Sequence, residues 1–406
     1  MAPARQRERL VVVGNGMAGL RLLEEVAALA PGRFDITAIG AEPEPAYNRV
    51  LLSSLLAGEI GAGDVAMRPR AWYADNGIAL RTGEPAVALD SVRRQVQLRG
   101  GDRVPFDRCV LATGSEPIRL AVPGHSLAGV TTFRTLADVA YLETAAARRM
   151  PAVVIGGGLL GIEAAYGLAR AGVPVTLVHL MDRLMERQLD VEGARLVEMA
   201  LDAQGIRVLL RAQTRAVHGT SAVESVELLD GRRIACGLVV MAVGVRANTA
   251  LAEIAGLPTR RGIVVDERLQ TATPGIHAVG DCAEHAGICH GLIEPAHEQA
   301  GVVARVLCGE TASYRGSTAA TNLKLSGVPV FSAGDFAGEG AETIVVRDEV
   351  TPAYRKLVVR DGRLAGAVLV GDTHDALWYA ELIRARRPIG PIRHALAFGE
   401  AFAEAA

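Results

Sequence analysis

Two stretches of the chain open on an unbroken apolar run that ends in a cluster of glycines. The first is Leu10-Val11-Val12-Val13 before Gly14-Asn15-Gly16-Met17-Ala18-Gly19, and the second is Ala152-Val153-Val154-Ile155 before Gly156-Gly157-Gly158-Leu159-Leu160-Gly161. A run without polar alternation predicts a strand buried on both faces, as in a parallel sheet. Each cluster leads into a helix-like stretch, through Ala30 and Ala171, and then into a further strand, Asp35–Ile39 and Val175–Val178. Strand, helix, strand is the βαβ unit, and the chain uses it twice. Near the C-terminus, Arg355–Val359 and Leu364–Val370 alternate around Asp361-Gly362, which predicts a hairpin. A helix from Asp375 to Arg386 stops before Pro388, with Trp378 and Tyr379 expected in the core or at a subunit interface.

Each cluster has the spacing G-x-G-x-x-G between a strand and a helix, where each glycine has its own task. Gly14 and Gly156 allow the tight turn, Gly16 and Gly158 let the backbone approach a pyrophosphate, and Gly19 and Gly161 let helix and strand pack closely. Asn15, Met17 and Ala18, and Leu159 and Leu160 in the second copy, stand where backbone N–H groups and the helix dipole hold phosphates without a lysine. Tight packing alone would explain one such cluster, whereas two in the same context imply two dinucleotides. A ribose-binding acid is expected about 20 residues beyond the last glycine. Glu42 meets that expectation in the first copy, and its carboxylate suits FAD or NAD by repelling a 2′-phosphate. In the second copy His179 takes that place, and nearby Arg183 could attract a phosphate, so NADH and NADPH both stay open.

Composition narrows the class. At 406 residues the chain has room for two or three domains. With 43 basic and 45 acidic residues, the net charge of −2 argues against a nucleic-acid binder that works through bulk charge. Five cysteines without C-x-x-C favour a reducing compartment over a disulfide scaffold. Met1–Arg9 shows no apolar leader core, and no run approaches the ~18 apolar residues of a membrane span. A cytoplasmic protein with no membrane or nucleic-acid partner is expected. Cys282, His285, Cys289 and His290 lie close in sequence, but their spacing departs from zinc patterns, so no metal is expected.

Further segments then fall into a familiar order. Cys109-Val110-Leu111-Ala112-Thr113-Gly114-Ser115-Glu116-Pro117 resembles an A-T-G-x-x-P segment. Met241 to Asn248, with Val243 and Gly244, resembles its counterpart, and Thr273 to Asp281 resembles a second FAD fingerprint. Over about residues 10–300 the chain is similar to the two-dinucleotide flavoprotein disulfide-reductase superfamily. The resemblance implies an α/β fold with two Rossmann-like, three-layer domains and a small C-terminal α+β domain. By it, residues 1–118 and 247–317 form the FAD domain, 119–246 an inserted NAD(P) domain, and 318–406 a capping domain that often helps form a homodimer. It also implies cofactor contacts at Ala86, Ala112, Thr113, Gly114, Val243, Gly244, Gly280, Asp281, Ala296 and His297. The helix opening at Glu294 would point at the flavin pyrimidine edge, stabilising the anionic ring.

Two departures shape the functional reading. Where disulfide reductases carry redox cysteines, this chain reads Tyr47-Asn48-Arg49-Val50-Leu51-Leu52-Ser53-Ser54, so thiol–disulfide exchange is excluded. That segment resembles the Y-x-R-x-x-L-S stretch of ferredoxin-, rubredoxin- and nitrite-reductase-type flavoproteins, which implies cofactor contacts at Arg49 and Ser53. Glu163 matches a glutamate near the flavin in ferredoxin reductases, while Ser54 stands where several of them have its lysine partner. Together with His179–Asp190 and Thr321–Asp335, these residues resemble most the FAD- and NAD(P)-binding half of assimilatory nitrite reductase large subunits and their electron-transfer relatives. No cysteine lies beyond Cys308 to hold the sirohaem and iron–sulfur half, so nitrite reduction by this chain alone is not expected.

The resemblance implies hydride transfer from NAD(P)H to FAD, with Glu163 as the catalytic candidate and NADH favoured by likeness only. Electrons would pass to a protein acceptor of nitrate or nitrite assimilation, or to rubredoxin or ferredoxin. An oxygen-reducing NADH oxidase and an NADH-responsive redox sensor or scaffold are the alternatives.

Overall fold

The computed structural model describes residues 7–318, 320–325, 328–348 and 350–404. The leader reading at residues 1–6, and Ser326 and Gly327 of the Thr321–Asp335 stretch, lie outside the described residues. Two contact units emerge: Met1–Val50 with Ala62–Glu116 and Val245–Ser317, and Leu51–Gly61 with Pro117–Gly244 and Thr318–Ala406.

In the first unit five parallel strands lie in the order Ile276–Ala278, Arg108–Leu111, Glu8–Val13, Phe34–Ile39, Ile78–Arg81. The apolar run Leu10–Val13 is buried, as its lack of alternation predicts. Helix Met17–Leu29 buries Leu20, Leu22, Leu23 and Val26 and packs beside helix Ile293–Leu307. The chain leaves the central strand toward Phe34–Ile39 and later adds Arg108–Leu111 on the other side. That reversal opens a crevice at the carboxyl end of the central strand, at the first glycine cluster.

The second unit repeats the plan. Its parallel sheet runs Arg207–Leu209, Val175–Val178, Ala152–Ile155, Leu238–Met241, Val130–Thr132, with helix Leu159–Arg170 after the central strand. The repetition goes deeper than the glycine motifs. Each unit adds a three-stranded antiparallel meander, Ala86–Asp90 to Arg103–Pro105 in the first and Thr214–His218 to Arg233–Ala235 in the second.

The second unit also holds a C-terminal antiparallel sheet ordered Ala320–Leu325, Val328–Gly334, Arg363–Val370, Ala353–Arg360, Glu342–Asp348. Its hairpin turns at Asp361 (φ +49°) and Gly362 (φ +67°), the paired left-handed residues that a tight two-residue turn requires. Helix Ala376–Ala385 lies on this sheet and buries Tyr379, Leu382 and Ile383. The expected α/β class, with paired parallel sheets and a small C-terminal α+β part, is therefore observed. Helix and strand ends differ from the sequence reading by a residue or two.

Tyr379 is fully buried; its hydroxyl donates to the Leu396 carbonyl (2.8 Å) and accepts from Arg355 (3.0 Å). Tyr379→Phe leaves that carbonyl without its donor and should cost about 1–2 kcal/mol. Earlier urea unfolding, followed by the fluorescence of the adjacent Trp378, is the expected signature.

Candidate functional sites

Geometry separates the glycines of each cluster by function. A side chain at Gly14 (φ +113°) would strike the Ala112 carbonyl oxygen, and one at Gly19 would strike the Gly14 carbonyl. In the second cluster, Gly156 (φ +120°) is pressed against the Ala242 carbonyl and Gly161 against the Gly156 carbonyl. The protein's own packing therefore demands those four glycines. Gly16 and Gly158 differ, because a β-carbon at either would meet nothing within 4 Å. No neighbour in the fold requires a glycine there, and the open space faces the start of a helix.

The helix starts carry the same signal. Gly16 and Gly158 are N-cap residues in extended conformation with no side-chain cap, and neither first turn contains an acid. Two other helices are capped by side chains, while helices such as Arg70–Asp75, Ile293–Leu307 and Ala376–Ala385 also start without a side-chain cap. Thr135 and Asp138 form a reciprocal capping box, and Asp190 accepts the Gly193 N–H at 3.0 Å. The uncapped amides of the two glycine helices await an acceptor, and a pyrophosphate meets that need. Beside the first, Asn15 accepts the Tyr73 hydroxyl (3.2 Å) while its buried Nδ2 has no partner. The residues present thus fit a dinucleotide in each cradle.

Around the first cradle, Glu42 accepts from the Tyr47 hydroxyl (2.6 Å) and from Arg49, whose guanidinium lies 5.1 Å over the Tyr47 ring. Arg49 thus meets Glu42 first, in a partly exposed pair. The Gly83 N–H donates to the Glu42 carbonyl (2.8 Å), which brings the stretch leading to Ala86 beside this loop. The Thr113 hydroxyl donates to the Asn248 carbonyl (2.7 Å), and the Asn248 N–H returns to the Gly114 carbonyl (2.9 Å). The Gly280 N–H donates to Gln299, and a β-carbon at Gly280 would sit 2.9 Å from that of Ala18. Asp281 accepts the Ser115 hydroxyl at 2.6 Å. Ala296 and His297 lie near the start of helix Ile293–Leu307. Burial lowers the His297 pKa, and its Nε2 is buried without a partner.

The second cradle is held differently. The Gly157 N–H donates to His179 Nδ1 (2.9 Å), and His179 Nε2 faces Glu186 (3.1 Å), which places the imidazole proton on Nε2. Glu186 supplies the carboxylate missing from the strand end; sequence spacing did not find it because it returns on a loop seven residues later. Arg183 points its guanidinium at the Leu189 and Glu186 carbonyls and at Asp182. Val243 follows the Ala242 carbonyl under Gly156, and the Gly244 carbonyl (Gly244 φ +115°) accepts the Ile118 N–H.

Glu163 sits on helix Leu159–Arg170, whose neighbour is the short helix Leu52–Leu56 bearing Ser53 and Ser54. Glu163 keeps some accessible surface, yet burial pushes its carboxyl up to about 8, so it is mainly uncharged at neutral pH. The cysteine–histidine stretch does not converge. Cys282 Sγ donates to the Leu111 and Val279 carbonyls, and the rings of His285 and His290 meet Tyr314 edge-on. Burial raises the pKa of all five thiols, so none offers a thiolate at neutral pH.

Residues 8–301 match the pyridine nucleotide-disulphide oxidoreductase family, and residues 320–387 match the rubredoxin NAD+ reductase C-terminal domain. The chain is 46% identical to nitrite reductase [NAD(P)H] of Bacillus subtilis strain 168, over 91% of this chain and 46% of that protein. It is 40% identical to the assimilatory nitrate reductase electron transfer subunit of the same organism, over 91% of this chain and 48% of the relative. The chain therefore spans about half the length of these curated relatives. Among solved structures, the covalent putidaredoxin reductase–putidaredoxin complex superposes with a TM-score of 0.86 at 27% identity, covering 97% of this chain and 96% of that one.

Two predictions follow from the geometry. Gly14→Ala and Gly161→Ala should yield little folded protein, whereas Gly16→Ala and Gly158→Ala should melt with the wild type and lose dinucleotide affinity in calorimetric titration. For Glu163, folding raises the carboxyl pKa, so its contribution to stability is intact below about pH 4 and is lost as pH rises toward about 8. Glu163→Gln should therefore match the wild-type melting temperature near pH 4.5 and exceed it at pH 9.

Proposed function

This chain belongs to the pyridine nucleotide-disulphide oxidoreductase family, and on that premise we propose that it takes hydride from NAD(P)H onto FAD and passes electrons to a protein partner. The observation that carries this reading is the pair of open middle glycines beneath uncapped helix starts. The curated relatives named for nitrite reduction and nitrate-reductase electron transfer support an acceptor from a nitrate or nitrite assimilation system.

FAD would be held by Gly14–Gly19, with Glu42 receiving the ribose and Arg49, Ser53, Ala86, Ala112–Gly114, Gly280, Asp281, Ala296 and His297 completing the site. NAD(P)H would be held by Gly156–Gly161, His179, Val243 and Gly244. Bound FAD supplies the chemistry: it accepts a two-electron hydride and can release electrons singly. The chain's own residues do the positioning. The Gly16 and Gly158 backbones admit the pyrophosphates, and the start of helix Ile293–Leu307 stabilises negative charge placed before it. Glu163, holding its proton, can donate a hydrogen bond to a carboxamide oxygen. The Glu186 carboxylate beside His179, with Arg183 turned onto its own loop, favours NADH over NADPH.

The domain division read from sequence is part of this proposal, with FAD residues 1–118 and 247–317, NAD(P) residues 119–246 and a C-terminal domain from 318. Among the described residues no helix is long and apolar enough to cross a membrane. The unpaired state of all five thiols supports a cytoplasmic setting. A second reading, reduction of rubredoxin or a ferredoxin-type carrier, is favoured by the match of residues 320–387.

The test is steady-state oxidation of NADH and NADPH by the FAD-loaded full chain, with a one-electron dye, oxygen, rubredoxin or a nitrate-assimilation component as acceptor. Fast NADH-dependent dye reduction with slow oxygen uptake is expected. Rapid peroxide formation would instead identify an oxidase, and charge-transfer complexes without dye turnover a sensor. Gly158→Val should retain FAD and raise the NADH KM severely.

A further inference from the structure

The chain contains only two lysines, and one of them, Lys356, is buried. Its ammonium donates to Asp190 Oδ2 (3.0 Å) and to the Ala337 carbonyl (3.0 Å). The Tyr354 hydroxyl donates to the same Asp190 oxygen at 2.7 Å, while Asp190 Oδ1 caps helix Val191–Ala203 through the Gly193 N–H. Two further bonds flank this knot. The buried Ser332 hydroxyl donates to the Gln188 carbonyl (2.6 Å), and Arg347 bridges both carboxylate oxygens of Glu192. The C-terminal sheet therefore grips residues 188–192 by side chains from three of its strands. Breaking a buried pair by removing one partner strands the other charge, so this grip resists displacement.

The gripped segment continues directly from the loop that holds the second glycine turn. Just upstream, the Met185 N–H donates to the Gly157 carbonyl (2.9 Å), and Glu186 faces His179, whose Nδ1 accepts the Gly157 N–H. Gly157 thus has its N–H and its carbonyl bonded to residues 179–185, one of them through the imidazole that Glu186 orients. Between the two ends the loop is braced internally. The Gln188 and Leu189 N–H groups both donate to the Met185 carbonyl (2.8 Å), and Arg183 Nε donates to the Leu189 carbonyl. A continuous set of directional bonds therefore runs from Lys356 and Tyr354 to Gly157. In the first cradle, Asn15 occupies the place of Gly157, and its side chain accepts from Tyr73 within that unit.

We propose that the C-terminal sheet positions the second glycine turn for dinucleotide binding, with Lys356, Tyr354 and Asp190 as positioning residues acting through the loop 179–190. The affinity of the second cradle then depends on a domain that lies more than 150 residues further along the chain. This inference rests on reading that cradle as the NAD(P)H site.

The test uses the full chain loaded with FAD, with Lys356→Met, Tyr354→Phe, Glu186→Ala and Glu186→Gln compared with wild type. NAD+ and NADP+, which cannot reduce the flavin, are titrated by calorimetry, and hydrogen exchange is followed without nucleotide. Lys356→Met should weaken NAD+ binding about 5-fold or more and speed exchange both at 185–192 and at 156–160, with the FAD-to-protein ratio unchanged. Tyr354→Phe should act in the same direction more weakly, and it carries the test if Lys356→Met does not fold. Glu186→Ala should speed exchange at 156–160, and Glu186→Gln, which keeps an oxygen for His179 Nε2–H, should restore it. Faster exchange confined to 185–192, with 156–160 and NAD+ affinity at wild-type values, would overturn the proposal. A wild type that binds neither NAD+ nor NADP+ would remove the NAD(P)H reading instead, while exchange at 156–160 would still decide whether the relay exists.

Discussion

Two helix starts left open on bare glycine backbone are the constraint around which both parallel-sheet units are organised. A helix start leaves up to four N–H groups without partners, and the usual remedy is a capping side chain worth about 1 kcal/mol. This chain applies that remedy at Thr135 and Asp190 and not at Gly16 and Gly158, where, unlike its other uncapped starts, the N-cap is a glycine with open space before it. Each cradle is thus built with an electrostatic deficit that an anionic ligand removes. A ligand bound there stabilises the folded chain in proportion to RT ln(1 + [L]/Kd). The glycines around each deficit record the geometry it demands, two fixed by packing and one by the space left open.

Much of the architecture was legible because its signals are local. An apolar run, a glycine turn and an amphipathic helix fit within about thirty residues, so both βαβ units can be read directly from the chain. Asp361-Gly362 announced its hairpin for the same reason, since two left-handed residues suffice to set the turn. The meanders gave weaker signals. Strands such as Gln95–Leu98 and Arg233–Ala235 span only three or four residues, the second with no buried position, too little for periodicity to register.

What escaped the sequence at the sites was chiefly non-local. Glu186 stands beside His179 because an irregular loop folds back, with Met185 in a left-handed conformation at φ +50°. Nothing in the spacing after the second glycine cluster foretells that return. Asn248 closing on Thr113 and Gly114, and Lys356 reaching Asp190, join residues separated by more than 130 positions. Composition gave no warning here: the scarcity of lysine reads as bias, and only the fold shows Lys356 buried against Asp190.

The chemistry available to the chain's own side chains points the same way as the cradles. All five thiols are held in their protonated form by burial, and Glu163 is held mainly uncharged. His297 is neutral for the same reason. A protein so arranged lacks a nucleophilic thiolate and a strong carboxylate base at these positions, and it offers neutral hydrogen-bonding groups instead. Hydride transfer between two bound cofactors asks for little else, because its barrier falls mainly with orientation and the exclusion of water. Neutral groups have a further advantage beside a reacting ring. They can orient a carboxamide or a ring edge without adding a fixed charge that would favour one oxidation state over the other.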